Sequence, residues 1–271
     1  MGNKQNRVLV GRGGSVAHTT AQAETSRLIY LYAIIGGADA CQGYDLAGID
    51  GRVVQCISIG PVAAVVSETP GGKMRPERRH LAAHHQVLKR LMEKSTPLPM
   101  AFGIIADGPG DIERILSLNR EVLVEQLERV GGKVEMSVRV LWDVPNIFEF
   151  FVNVHPELKA LRDRFFRGGH EPSHDDKIGL GRLFDRLMNE DRATHTDCVV
   201  NLLSSRCCEI KENKPRTECE VMNLACLIRR DAQKDFEDGI FETAKLFDNN
   251  YSFDFGGPFP PHSFAEINLQ M

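Results

Sequence analysis

The sequence predicts an α+β protein of two domains. Three observations carry that expectation. The chain has 271 residues, 42% of them apolar and 26% charged, enough for a sizeable core in each of two units. Strand-like apolar runs and helix-like stripes both recur along it. From residue 131 onward they follow the order strand, helices, strand, strand, helix, strand. That βαββαβ order defines a ferredoxin-like sandwich, here modified by extra helices; the name describes a fold and implies no iron–sulfur cluster.

Residues 1–26 are small and polar, and read as a disordered tail. They lack the apolar core of a secretory signal, and MGNKQN lacks the Ser or Thr of a myristoylation signal. VLVGRGG resembles a nucleotide loop only superficially, because its strand is short and no helix pattern follows. The first domain is expected over 27–130. RLIYLYAII (27–35) is almost wholly apolar and predicts a central buried strand. RVVQCISIG and PVAAVVSE predict two strands joined at Gly60-Pro61. A helix follows Lys73–Arg75, with Pro76 near its first turn and Leu81, Leu88, Leu91 and Met92 as its buried stripe. PLPMAFGIIA (97–106) reads as one further strand. A single helix is expected from Asp111, as N-cap, to the stop at Gly131-Gly132, burying Ile112, Ile115, Leu116, Val122, Leu123, Leu127 and Val130.

The second domain is expected over 131–271. KVEMSVRVLWD alternates cleanly, with Val134, Met136, Val138, Val140 and Trp142 on one face. Helices are expected at about 146–166 and 177–204, separated by the loop RGGHEPSHDD. Strands follow at about 206–212 and 219–229, with Cys207 and Cys208 as a strand pair facing opposite sides. A helix from Asp231 buries Ala232, Phe236, Ile240, Ala244 and Phe247. YSFDF (251–255) is the last strand, ended by Gly256-Gly257.

The net charge is −4 and no basic stripe stands out, so nothing asks for nucleic acid. No apolar run approaches the roughly 18 residues of a membrane helix. The seven cysteines (41, 56, 198, 207, 208, 219 and 226) form no CxxC pair, which disfavours a disulfide framework or zinc site and fits reduced thiols in a cytoplasm. His80 and His84, four apart, could share a metal with His85 beside them, or could edge a buried stripe. His170, Glu171, His174, Asp175 and Asp176 could ligate a cation, or form a solvated loop. Arg75, Arg78 and Arg79, with Lys73, could meet an acidic partner, or simply open a helix. No nucleophile elbow, phosphate loop, catalytic cysteine signature or cofactor motif is present.

GGPFPPHSF at 256–264 resembles the G-P-W-P-P-Y-S-F ending of the gas vesicle protein F/L family (GvpF/GvpL). Phe259 and His262 stand where that family commonly carries Trp and Tyr. LIYLYAII (28–35), VAAVVS (62–67), PLPMAFG (97–103) and MNLACLI (222–228) resemble further family segments in the same order. At Met100 and Ala101 the chain departs from an L-P-L-R-F-G pattern and lacks its arginine. The resemblance runs from about 27 to 264. It implies a two-domain α+β fold and a minor or accessory component of gas vesicles, in the cytoplasm during assembly. It implies no catalysis and no cofactor. The implied partners are the hydrophobic main shell protein and other accessory proteins, without nucleic acid or lipid membrane. The alternative is a ferredoxin-like enzyme or small-ligand sensor, with metal near His80 and His84 or in the loop at 170–176. Phe255, Pro258, Phe259, Pro260, Pro261 and Phe264 are candidates either for partner contact or for an aromatic clamp packing the C-terminus onto its own domain. Arg75, Arg78 and Arg79 are candidates for partner contact.

Overall fold

A computed structural model describes residues 28–40, 45–167, 173–267, 269 and 270. The expectation for residues 1–26 lies outside them.

The first sheet is built around β1 (Leu28–Gly36), whose seven central residues are all buried. A one-turn helix, α1 (Gly37–Ala40), follows, then the hairpin β2 (Val54–Ile59) and β3 (Val62–Thr69). Gly60 supplies the positive φ, 58°, that the hairpin turn requires. α2 (Arg78–Met92) packs Val87, Leu88 and Leu91 against Tyr30, Tyr32, Ala63 and Val65. The segment 97–106 is two short strands, β4 (Leu98–Pro99) and β5 (Ile105–Ala106), both antiparallel along the same edge of β1. Gly103, at φ 92°, lets the chain bulge outward between them.

The expected helix from Asp111 is two helices, α3 (Pro109–Leu118) and α4 (Arg120–Val130). Gly108 occupies the cap position and Asp111 lies inside the first turn. Asn119 makes the break, because its side-chain amide donates to Ile115 O at 2.7 Å and to Gln270 O at 3.0 Å. An asparagine that bonds nearby backbone competes with helix continuation. Val122, placed in the stripe by a continuous helix, is accordingly exposed.

The chain enters the second sheet after Gly131-Gly132. Its strands are β6 (Lys133–Trp142), β7 (Glu209–Asn213), β8 (Glu220–Arg229) and β9 (Tyr251–Phe259), in the order β7-β8-β6-β9. All neighbours are antiparallel. Four helices cover one face: α5 (Ile147–Val154), α6 (Pro156–Arg167), α7 (His174–Leu203) and α8 (Gln233–Ala244). The first expected helix is split at His155-Pro156, where proline cannot donate to continue the ladder. Cys207 and Cys208 precede β7 instead of lying in it. β9 also continues through Gly256-Gly257 to Phe259.

The core beneath the four helices holds the alternating residues of β6 with Phe151, Leu187, Val199, Phe236 and Ile240. A second core joins the halves of the chain. It holds Ile29, Leu31, Val62 and Val66 of the first sheet, Leu116 and Leu123 of α3 and α4, and Ala225, Leu227 and Phe264 from beyond residue 131.

Candidate functional site

The end of β9, with Pro260 after it, and one side of α2 form a groove of about 500 Å³. Its walls are His85, Leu88, Lys89, Met92 and Glu93 on one side, and Arg230 with Gly257, Pro258, Phe259 and Pro260 on the other. Residues more than 160 apart in sequence thus share one concave surface.

A register shift builds the second wall. Ser137 pairs with Gly256, but Glu135 pairs with Phe259, so β9 carries one extra residue. A bulge of this kind moves the following side chain to the other face. Phe259 therefore shares the face of Glu135 and Gly256 instead of joining Phe253 and Phe255 in the helix-covered core. It is 43% exposed. Gly257 sits at φ 138°, and a Cβ there would lie 2.6 Å from Met136 Sδ and 3.0 Å from Glu135 O. Only glycine fits.

Two anchors hold the groove open. The Arg230 guanidinium donates to Met92 O and, at 2.9 Å, to Ser95 O, satisfying carbonyls at the end of α2. Beyond the prolines, the buried Glu135 carboxylate accepts from Ser263 N at 2.7 Å and Ser263 Oγ at 2.9 Å. Burial pushes the Glu135 carboxyl above its usual range, and the two Ser263 hydrogen bonds oppose this.

The tail then leaves its own sheet. Pro260 and Pro261 are buried, and Phe264 is fully buried in the core that joins the two halves. Phe264 O accepts from Arg129 of α4 at 3.2 Å, and Gln270 N donates to Asn119 Oδ1 at 2.9 Å. The tail therefore packs against Glu135, Ala225 and Leu227 of the second half and also against the first half of the chain. Phe255 is half-buried, its ring 5.8 Å from that of Phe241.

The arginine candidates divide. Arg75, Arg78 and Arg79 are all exposed, and Arg79 is paired with Glu77 at 2.9 Å. Arg78 lies seven and eleven residues before His85 and Lys89, so all three fall on one helix face. Sequence reasoning passed over Lys89 and Arg230; the i, i+7, i+11 spacing from Arg78 was the available signal for Lys89.

The histidines have local roles. His84, 2% exposed, has Nδ1 2.9 Å from the Tyr30 hydroxyl, and that same oxygen accepts from Gly103 N at 3.1 Å. The ring also donates to the Met100 backbone carbonyl. The ring therefore ties α2 to the bulge between β4 and β5. Burial, with His85 and His262 nearby, pushes its pKa down to about 4. His80 Nε2 lies 3.2 Å from Asp50 Oδ1. Asp176 closes a capping box with Ser173 at the start of α7, while His170 and Glu171 lie outside the described residues. Among the described residues, no three His, Cys, Asp or Glu side chains are grouped to hold a metal ion.

A larger cleft of about 650 Å³ lies between α7 and the β7–β8 turn. Its Arg192 is committed to the Glu218 and Glu220 carbonyls, at 2.8 and 3.0 Å. That cation holds a turn in place and is not free for a ligand.

The family described as "Gas vesicle synthesis protein GvpL/GvpF" matches residues 28–266. The chain belongs to the GvpL/GvpF family. Among its relatives, "Gas vesicle protein F" of Streptomyces sp. (strain CB03234) is 26% identical over 241 residues, covering 88% of this chain and 99% of the relative. "Gas vesicle protein L" of the same strain is 26% identical over 268 residues, covering 90% and 94%. The crystal structure of GvpF from Anabaena sp. PCC7120 superposes with a TM-score of 0.78 at 25% identity, covering 90% of this chain and all of that one. GvpF from Microcystis aeruginosa shows the same fold, with a TM-score of 0.76 at 23% identity over 89% and 99%. These GvpL/GvpF relatives carry gas vesicle names and none names an enzyme activity. Among the described residues of this GvpL/GvpF chain, no helix is long and apolar enough to cross a membrane.

Proposed function

We propose that this chain is a non-catalytic gas vesicle accessory or minor structural protein. It binds the hydrophobic main shell protein and other accessory proteins, and it supports vesicle assembly. The observation that carries this reading is the family match across residues 28–266. The physical reason is aggregation: a subunit that lines a gas space is strongly apolar and must be covered until it assembles. A covering partner needs contact surface and no active site. Its place is the cytoplasm during assembly and the vesicle afterwards, without nucleic acid or lipid as partners. Two units meeting near residue 131 divide the chain and share the joining core. Co-expression with the main shell protein tests the proposal. The shell protein is expected to be retained on the affinity-tagged chain and the chain to co-purify with vesicles. Failure of both would overturn it.

A further inference from the structure

We propose that the groove between α2 and the C-terminal bulge docks an acidic segment of a partner protein that carries an apolar side chain. This rests on the accessory-protein reading and assigns it a surface. The net charge of the chain is −4, yet residues 73–94 hold seven Lys and Arg against two Glu. The two glutamates are already engaged, Glu77 with Arg79 at 2.9 Å and Glu93 with Arg90 at 3.0 Å. Among the described residues, no carboxylate pairs with Lys73, Arg75, Arg78 or Lys89. Arg78 and Lys89 share a helix face with His85, and Lys89 and His85 line the groove itself. Seven residues of helix span about 10 Å, so Arg78 extends the positive stripe about that far beyond the groove.

Beside Lys89 and His85 the groove is apolar, with Leu88, Met92, Pro258, Pro260 and the exposed ring of Phe259. A partly exposed aromatic beside apolar walls and a polar rim has the composition of an interface centre. Cations without partners at the rim select a negatively charged occupant. An apolar side chain would enter against Phe259, and Asp or Glu residues flanking it would meet Lys89 and Arg78. The Arg230 bonds to the end of α2 fix the walls beforehand, so little ordering cost falls on binding.

The test uses the full chain and overlapping 15-residue peptides covering the main shell protein and the other gas vesicle proteins of the host. The peptides retained are expected to be net acidic with at least one large apolar residue. Binding is expected to weaken about tenfold in Phe259→Ala, and about tenfold or more in the double variant Arg78→Glu, Lys89→Glu, with thermal stability near that of the parent. Retained peptides that are neutral or basic, binding unchanged in both variants, absence of any retained peptide, or preferential binding of a DNA oligonucleotide would each overturn the assignment. Co-expression separates the two readings. If the parent chain and both variants retain the shell protein equally, the groove is wrong and the accessory function stands. If the parent itself retains nothing, the function fails first.

Discussion

Phe259 and Phe264 are five residues apart and do opposite things. Phe264 is fully buried in the core that joins the halves, while Phe259 is exposed in the groove. Phe264→Ala is expected to cost about 3–5 kcal/mol of stability, whereas Phe259→Ala is expected to cost less than about 1 kcal/mol. Urea denaturation of the two variants measures the difference. Gly257→Ala forces a side chain into a positive-φ position against Met136, at an expected cost of about 2 kcal/mol or more. The readout is a thermal midpoint lowered by several degrees. His84 sets a pH dependence. Its folded pKa of about 4 lies below the ordinary value of 6.5, so the unfolded chain takes up the proton first as pH falls. The His84 contribution is therefore intact above about pH 6.5 and is lost progressively down to about pH 4. Unfolding free energies across that window are expected to decline less steeply in His84→Gln than in the parent.

At the scale of elements, the informative places are those where a regular pattern is interrupted. β4 and β5 are two short edge strands on β1, and the bulge between them is held by Tyr30 and His84. α3 and α4 are one apolar stripe cut by Asn119, whose amide serves the C-terminal tail. Asn119→Ala is expected to cost about 1 kcal/mol by removing those bonds. Faster hydrogen exchange at the Gln270 amide would show that the tail has loosened, and unchanged exchange there would contradict the anchoring role. Strand and helix identities were legible from period alone, as in KVEMSVRVLWD. Three of the interruptions were not, because each depends on a residue far along the chain: Gln270 for Asn119, Tyr30 for Gly103, and Glu135 for the bulge in β9.

At the scale of the molecule, two antiparallel sheets share a core, and the chain's end crosses from the second half to the first. Ala225, Leu227 and Phe264 would lose their apolar neighbours if residues 131–271 were separated from the rest. One cooperative unfolding transition is therefore expected, with calorimetric and van't Hoff enthalpies equal. Two resolved transitions would show that the joining core contributes little.

The sequence by itself determined the α+β class, most element positions and the family, since each is written in local periodicity and in short motifs kept in order. GGPFPPHSF was enough to mark the tail as distinctive. Only the tertiary structure decided what the tail does. One extra residue in β9 turns Phe259 toward a groove whose other wall is α2, while Pro260 and Pro261 lead Phe264 into the shared core. Side-chain direction in a strand depends on register with its neighbour, and register is a relation between two segments that neither one carries alone.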